Sequence, residues 1–505
     1  MAHPRGRFAP TASEMTRGFD IVARLVRRLP ASRGVSHRCT RRAALPASSR
    51  IEPSPSGEHG VGLLRCSAST HALLIAAVLL SWVVRAPSTL QYPVLFNEDG
   101  GLLFTHFLNR EDVPVLIFYT GYASVGSNLL AWFASALPIT WIPYAYMWTS
   151  LAIAGSAVSV FYLPRFRSLV SHDGTRFVVC LLFALFPLGN GALVRSLTWS
   201  FWPVLTASCM LCLVSTSGRR SPWEWLYLLM NAWASPISSV LLPVYGWRLH
   251  RARNWTTRLG FAFLILATIV YLQLNLSTEV VRFAAVSEIP SAPVSHGCLL
   301  WATGHTLPAI ADRVVFEPVF SNFVRLQLIC RGLESVVVVV GAALLACVVL
   351  FVARDPGLRG AARRNAAFLC FSGYLVVAIT IVSLYARFGP AGLDYRAAFH
   401  HRYFWVQQYL LCVSLVVVLS PLRHRITRRS RWFGMTFLVG AALGMSYLDR
   451  VESRDPGWGP DLRRFLAQVE TCRRQRHGAR SESCRLPMVL EQRDKRFPLV
   501  VRRFD

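Results

Sequence analysis

Long apolar runs, separated by short connections rich in arginine, constrain this chain more than any other feature. Several runs approach the roughly 20 residues that a helix needs to cross the hydrocarbon core of a bilayer. Apolar residues make up 53% of the chain and charged residues only 16%. A soluble protein could not bury so many such runs, and within a bilayer only helices or closed barrels satisfy the backbone hydrogen bonds. The sequence therefore predicts an all-α polytopic membrane protein.

The apolar runs predict about 10–11 transmembrane helices if one broken hairpin is included. The unbroken spans are predicted at residues 72–88, 142–163, 177–188, 200–214, 259–275, 335–353, 366–386, 403–422 and 432–447. They define a transmembrane domain over residues 70–448, which is followed by an external tail over residues 449–505. Residues 1–69 are basic and lack apolar periodicity, so we interpret them as a disordered cytoplasmic tail or as the product of a start codon assigned too early.

The apolar run at residues 223–247 is predicted to be a broken re-entrant hairpin. Arginines lie on both sides of it, with Arg219 and Arg220 before it and Arg248 after it. A single crossing would leave one of these clusters outside, against the positive-inside rule. Pro236 near the centre breaks a helix, because proline has no backbone N–H to donate. We predict two half-helices that enter the membrane and return; a single kinked span is the alternative.

The arginine distribution sets the predicted orientation. The connections assigned to the cytoplasm, at residues 164–176, 215–224, 248–258, 354–364 and 421–431, hold 18 arginines and 3 acids. Those assigned outside are the first outer loop 86–140, the loops 189–199 and 387–402, and a large outer loop 276–331 with short amphipathic pieces; together they hold 9 arginines and 9 acids. This asymmetry predicts a cytoplasmic N-terminus and an external C-terminus. It also accounts for the net charge of +28, so no nucleic-acid partner is predicted.

The first outer loop carries the candidate chemistry. Residues 96–112 contain two adjacent acid pairs, Glu98–Asp99 and Glu111–Asp112, although the whole chain has only 26 acids. Carboxylates just outside a membrane span can act as a general base, as a metal ligand or as a helix cap. The alternative is a solvated loop with a capping acid. Because Pro114 follows Glu111–Asp112, that pair favours a turn or the start of a helix.

Several short motifs follow one another in an order that identifies a resemblance. They are the Glu98–Asp99–Gly100 loop after the first span, Gly121–Tyr122 before an amphipathic outer segment, Ser235–Pro236 in the broken hairpin, Arg402–Tyr403–Phe404 entering a late span, and Trp458, Cys472 and Cys484 in the tail. This order resembles the GT-C class of membrane glycosyltransferases, and in particular uncharacterised bacterial multi-pass members with an E-D-G loop. The likeness extends over residues 70–490.

The resemblance implies an inverting enzyme of the bacterial cytoplasmic (inner) membrane. Such an enzyme moves a sugar from a polyprenyl-phosphate donor to a glycan, lipid or protein acceptor at the external face. By the resemblance, Asp99 or Glu98 is the general base that accepts the proton of the acceptor hydroxyl. No resident cofactor is predicted, and a divalent metal stays open because members of the class differ in this respect.

The departing lipid phosphate needs cations near the outer interface. The predicted groups are Arg402, with His401 and Tyr403 beside it, and Arg195 in a short outer loop. A guanidinium binds phosphate through paired hydrogen bonds. The alternative for Arg402 is an arginine that extends to the interface beside aromatic residues.

Two other functions compete with sugar transfer. One is a transporter or flippase of a lipid-linked glycan, and the other is a non-catalytic membrane subunit. The predicted spans contain almost no charged residues, which counts against an ion-coupled carrier. The non-catalytic alternative stays open, because a single acid pair carries the whole catalytic prediction.

Overall fold

A computed structural model describes part of the chain. The described residues are 68–85, 103–104, 107, 118–119, 122–185, 196–214, 220–277, 296–387, 403–424, 440, 467, 471, 484–489 and 496–501. The chain divides into two units, Met1–Gly60 and Val61–Asp505, and every described residue belongs to the second. The predicted cytoplasmic tail up to residue 67, most of the predicted span 432–447 and most of the external tail lie outside the described residues.

Helices dominate the described residues. In chain order they are α1 Ala68–Arg85, α2 Val125–Ala134, α3 Ile142–Ser159, α4 Asp173–Leu185, α5 Phe201–Leu213, α6 Pro222–Ala232, α7 Leu242–Arg251, α8 Trp255–Ser277, α9 His296–Ala309, α10 Glu317–Cys330, α11 Glu334–Arg354, α12 Pro356–Arg364, α13 Ala366–Arg387 and α14 Trp405–Leu419.

Shorter elements complete the fold. Short 3₁₀ segments occupy Val160–Tyr162, Pro164–Ser168, Thr198–Ser200, Pro236–Leu241 and Ser420–His424, and a π-helix occupies Ile310–Phe316. The described residues contain two antiparallel hairpins: β1 Phe118–Tyr119 pairs with β2 Tyr122–Ala123, and β3 Cys484–Val489 pairs with β4 Arg496–Val501. Neither hairpin is predicted from the sequence.

Within the described residues, five helical segments are long and apolar enough to cross a membrane. They are Ile142–Ser168, Trp255–Leu274, Glu334–Arg354, Ala366–Tyr385 and Trp405–Leu422, and each overlaps a predicted span. Three further apolar helices, Ala68–Val83, Val125–Ala134 and Thr198–Leu213, are shorter than 18 residues. The chain is therefore a predominantly helical membrane protein, as predicted.

Contacts between helix ends define two ends of the bundle. At one end, the last turns of α1 and α4 meet, because Trp82 Nε1 donates to the carbonyl of Ala184 at 3.1 Å. The start of α5 meets the start of α14 there, through an edge-to-face contact of Trp202 and Tyr403 at 5.5 Å. We call this the Tyr403 end. At the other end, which we call the Ser159 end, the start of α1 meets the end of α3 through His71.

The run predicted as a broken hairpin does break at the expected place. Helix α6 stops at Ala232, Ser235 is fully extended (φ −164°, ψ 149°), and a 3₁₀ turn begins at Pro236. Side chains near the start of α6 and within α7 both contact Phe261 of α8, with Trp225 at 5.6 Å and Tyr245 at 6.0 Å. Helices α6 and α7 therefore both pack beside Phe261, at one level of α8.

The break between α6 and the 3₁₀ turn lies at a different level of α8 from Phe261. Trp233 contacts Tyr271 of α8 at 6.3 Å. Tyr271 lies ten residues beyond Phe261, which is about 15 Å along a helix axis. The backbone N–H of Val125, at the start of α2, donates to the Trp233 carbonyl at 3.1 Å. The break thus lies beside the start of α2, about 15 Å along α8 from the level of Phe261.

Much of the predicted large outer loop is helical. Residues 296–330 form α9, the π-helix and α10, and the π-helix packs closely against α11. Gly341 permits this approach, because a methyl group at position 341 would overlap the carbonyl of Ala311. The glycine therefore fixes how closely α11 approaches the π-helix.

We expect Gly341→Ala to destabilise the protein by about 1–3 kcal/mol, since the two backbones must separate to admit the methyl group. Gly373→Ala in α13 is the matched control, because no atom lies within 4 Å of the added carbon there. The control should be neutral or slightly stabilising, since alanine favours helix over glycine. Thermal unfolding of the two purified variants in detergent measures the difference. Equal melting temperatures would contradict this account of the packing.

Candidate functional site

Of the predicted site residues, only Tyr403 is described. Glu98, Asp99, Arg195, His401 and Arg402 lie outside the described residues. Tyr403 is buried against Trp202, and its carbonyl accepts a hydrogen bond from Gln407 Nε2 at 2.8 Å. The first residue described after position 402 is therefore held firmly within the bundle.

Three apolar residues of the acidic stretch 96–112 are described and buried. They are Leu103, Phe104 and Phe107. Residues 103 and 107 are one helical turn apart in sequence, the spacing at which side chains share one face. These positions are covered by protein, so the stretch is not a wholly solvated loop.

A pair of opposite charges lies next to Tyr403. The guanidinium of Arg313, in the π-helix, lies 5.8 Å from the ring centroid of Phe404. Arg313 Nη1 donates to Glu317 Oε2 at 2.9 Å, and Gln408 Nε2 of α14 donates to the Arg313 carbonyl at 2.7 Å. The π-helix is thereby tied to the first turn of α14.

A second pair completes the group. Arg325 donates from Nε to Asp312 Oδ1 at 2.5 Å and from Nη2 to Oδ2 at 3.0 Å, which is the paired geometry of a strong guanidinium–carboxylate contact. Arg325 Nη1 also donates to Asn322 Oδ1 at 3.3 Å. Asp312, Arg313, Glu317 and Arg325 are each no more than 3% exposed. We call these four residues the buried tetrad.

Local sequence explains why the backbone is irregular here. Pro318, the second residue of α10, cannot donate to a carbonyl of the preceding turn, and the π-helix lies just before it. Ser321 has φ 72°, and it is the one non-glycine residue with positive φ among those described. Its kink interrupts α10 and lies between the two partners Asp312, in the π-helix, and Arg325, in α10. Both irregularities are of a kind that clusters at functional sites.

The charges of the buried tetrad balance one another, but burying them is energetically unfavourable. Two guanidinium groups face two carboxylates, so its formal net charge is zero. Burial lowers the pKa of Arg313, and the adjacent Glu317 carboxylate opposes that shift. Buried ion pairs contribute little net stability compared with apolar packing, but removing one partner leaves an uncompensated charge. Buried ionisable groups in a membrane protein are therefore candidates for a functional site.

Helix α2 lies at the same end of the bundle as Tyr403. Ser127 Oγ donates to the carbonyl of Leu197 at 2.9 Å, just before α5 begins. The opposite face of α2 exposes large apolar side chains at Leu129, Trp132 and Phe133. This pattern confirms the predicted amphipathic character of the segment and is typical of a helix at a membrane interface.

No metal centre is apparent in the described part of the chain, where no group of three or more His, Cys, Asp or Glu residues could hold a metal ion. The chain matches no family model, no curated protein and no solved structure in the three comparisons with known proteins.

Sequence reasoning missed the buried tetrad. The sequence assigns all four residues to the predicted outer loop 276–331, which holds equal numbers of arginines and acids. A signal was available: Arg313 and Glu317 are four residues apart within an otherwise apolar run, the spacing of a helical ion pair. The Asp312–Arg325 pair had no such signal, since the two residues are thirteen positions apart.

Proposed function

We propose that this chain is a membrane glycosyltransferase. It moves a sugar from a polyprenyl-phosphate donor to an acceptor at the external face, with Asp99 or Glu98 as the general base. The observation that supports this most is the buried tetrad, whose Arg313 is fastened to the first turn of α14. That turn begins three residues after Arg402, the predicted phosphate ligand.

The role of the buried tetrad is to position the residues that follow Arg402. Because its charges are balanced, it does not itself attract an anionic donor. It holds Phe404 and Gln408 in place from the side of the π-helix, while Trp202 holds Tyr403 from the side of α5. Rigid placement of a cationic segment is what a phosphate leaving group requires, since electrostatic stabilisation depends on preorganised charges.

The chemical step is a single displacement. The acceptor hydroxyl oxygen attacks the anomeric carbon, and its proton passes to the carboxylate of Asp99 or Glu98. The bond between the anomeric carbon and the phosphate oxygen breaks, and the lipid phosphate leaves with the bonding electron pair. Arg402 and Arg195 neutralise the charge that develops on that oxygen.

We further propose that α6, the following 3₁₀ turn and α7 form a re-entrant hairpin that opens to the cytoplasm. Arg248 Nε donates to the Cys212 carbonyl, and the guanidinium of Arg220 lies 5.2 Å from the ring centroid of Phe261, which Tyr245 of α7 also contacts. Both arginine-rich ends of the hairpin thus belong to the same end of the bundle. The positive-inside rule assigns that end to the cytoplasm and the Tyr403 end to the exterior.

A carrier of a lipid-linked glycan is the second candidate. The observation that favours it is the helix broken at Trp233–Pro236, because discontinuous helices form the substrate sites of many transporters. The absence of sugar transfer together with donor movement across the bilayer would favour this candidate.

Reconstitution separates the two candidates. Proteoliposomes that contain the full chain and a radiolabelled polyprenyl-phosphate sugar should form a labelled product when acceptor lipids or glycans are added outside. Liposomes without the protein provide the background. If no donor in a panel of sugars yields product, while label becomes accessible on the opposite leaflet, the transferase proposal is wrong and the carrier candidate replaces it.

A further inference from the structure

Three arginines from three separate connections meet at the Ser159 end of the bundle. Arg165 follows α3, Arg220 precedes α6 and Arg248 lies in α7. Arg220 and Arg248 are 7% and 6% exposed, and the side chain of Arg165 is 12% exposed. We call these three residues, together with Glu224, the arginine cluster.

The cluster carries more positive than negative charge. Glu224 forms an ion pair with Arg165, and its second oxygen lies 3.6 Å from Arg220 Nη1, which is too far for a hydrogen bond. Among the described residues, no other carboxylate pairs with these arginines. Three guanidinium groups and one carboxylate give a formal net charge of +2.

Aromatic rings contact the guanidinium groups of Arg220 and Arg248, and a carbonyl accepts one hydrogen bond from Arg248. Arg248 lies 4.3 Å from the ring centroid of Trp247 and donates from Nε to the Cys212 carbonyl. Arg220 lies over the rings of Trp225 and Phe261. Arg165 Nη1, Arg220 Nε, Arg220 Nη1 and the hydroxyl of Ser221 are buried and have no hydrogen-bond partner among the described residues; the same holds for the acceptor Glu224 Oε2. Four unsatisfied donor groups and one unsatisfied acceptor thus come from one small region around the start of α6.

The arginines remain charged at neutral pH. Burial lowers the pKa of Arg220, and it lowers the pKa of Arg248 to about 10, which is still far above 7. Burying uncompensated charge is energetically unfavourable. A counter-anion that accepts hydrogen bonds would satisfy both the charge and the orphaned donors.

We propose that the arginine cluster binds a phosphate-bearing anion. A phosphate group offers several acceptor oxygens to guanidinium forks, and the start of α6 adds the positive end of a helix dipole. Trp223 and Trp255, at the starts of α6 and α8, are exposed at this end of the bundle, as in the aromatic belt at headgroup level. The anionic headgroup of a phospholipid is therefore the favoured source, with a soluble phosphate as the other source of the same chemistry.

This site is separate from the one proposed for sugar transfer. Cys212, which contacts the cluster, lies ten residues beyond Trp202, which contacts Tyr403; the separation is about 15 Å along α5. The inference therefore does not depend on the proposed function, and its test does not measure sugar transfer.

Lipid binding to the purified full chain tests the proposal. Native mass spectrometry and thermal unfolding are recorded with phosphatidylglycerol, with phosphatidylcholine, and with inorganic phosphate in phosphatidylcholine nanodiscs. We expect preferential retention of phosphatidylglycerol by the wild type. Arg220→Gln leaves the Arg165–Glu224 pair intact and should weaken that retention about tenfold or more, as expected for lost hydrogen bonds to a charged group.

Arg251→Gln is the matched control, because it removes the same charge from an exposed position in α7. The control should change retention less than about twofold, since an exposed charge is screened by salt and water. If Arg220→Gln does not fold, Arg220→Lys keeps the charge but loses the fork, and it should also retain less lipid than the wild type.

The outcomes are distinct. Stabilisation by phosphatidylglycerol alone assigns the site to a lipid headgroup, and stabilisation by inorganic phosphate assigns it to a soluble phosphate; both support the proposal. No preference for either anion over phosphatidylcholine overturns it. Equal losses in Arg220→Gln and Arg251→Gln also overturn it, because the attraction would then come from general surface charge.

Discussion

The double substitution Glu98→Gln/Asp99→Asn should lower the rate of sugar transfer by about 10²–10⁴-fold, the usual contribution of a general base. Both amides keep the size and hydrogen-bonding ability of the acids but cannot accept the proton of the acceptor hydroxyl. The measurement is the initial rate of product formation from a labelled polyprenyl-phosphate sugar in proteoliposomes, at equal amounts of folded protein. The single variants then identify which acid is the base, and we expect the larger loss for Asp99→Asn.

The chain supplies its own control for this experiment. Glu111→Gln/Asp112→Asn removes the same charge from the same loop, and this pair precedes Pro114 as a turn or helix start does. Transfer by the control should stay within about twofold of the wild type, since surface substitutions of this kind have small effects. A folded Glu98→Gln/Asp99→Asn protein that transfers sugar at the wild-type rate would contradict the assigned mechanism.

The long spans were predictable because their hydropathy is an average over many residues. An average over some 20 residues tolerates a few wrong assignments, so all five long apolar segments of the structure coincide with predicted spans. The break at Pro236 was predictable for a different reason, since a proline inside a helix removes a hydrogen bond wherever it occurs. Both signals are local properties of the sequence.

The sequence predicts only short amphipathic pieces within residues 276–331, and the full helical run at residues 296–330 depends in part on contacts that are not local. Its charges lower its hydropathy, and their burial depends on partners such as Arg325 for Asp312, thirteen residues away and beyond a kink at Ser321. A window that scores composition treats these charges as exposed. Their neutralisation is visible only in three dimensions, where Asp312 pairs with Arg325 and Glu317 pairs with Arg313.

The candidate site also depends on contacts between distant residues, which the sequence does not reveal. Of the residues predicted from the motif order, Tyr403 lies where the π-helix, α5 and α14 meet, and the others lie outside the described residues. From the sequence, the arginines of the arginine cluster predict only the orientation of the chain. In the structure, the three connections that carry them meet at Glu224 and Cys212. Counting charges by loop predicts the side of the membrane but not which loops touch one another.

Breaking the Asp312–Arg325 pair should destabilise the protein strongly. Asp312→Asn leaves Arg325 buried without its charged partner, and the expected loss is about 3–5 kcal/mol. The exposed Arg167 provides the control, since Arg167→Gln removes one of two arginines that pair with Asp173 and should cost less than about 1 kcal/mol. Denaturation of both variants in the same detergent measures the difference. A loss for Asp312→Asn no larger than that of the control would contradict the buried pairing.

A paired replacement separates stability from function. Asp312→Leu/Arg325→Met exchanges the ion pair for apolar groups of similar length, and such exchanges are often neutral or stabilising. We expect this double variant to recover most of the stability lost in Asp312→Asn. If the tetrad positions the start of α14 for phosphate binding, sugar transfer should stay at least about tenfold below the wild type, because small misplacements of a catalytic group cost rate. Recovery of wild-type transfer along with stability would show that the pair serves folding alone, and the positioning role assigned to the tetrad would then be wrong.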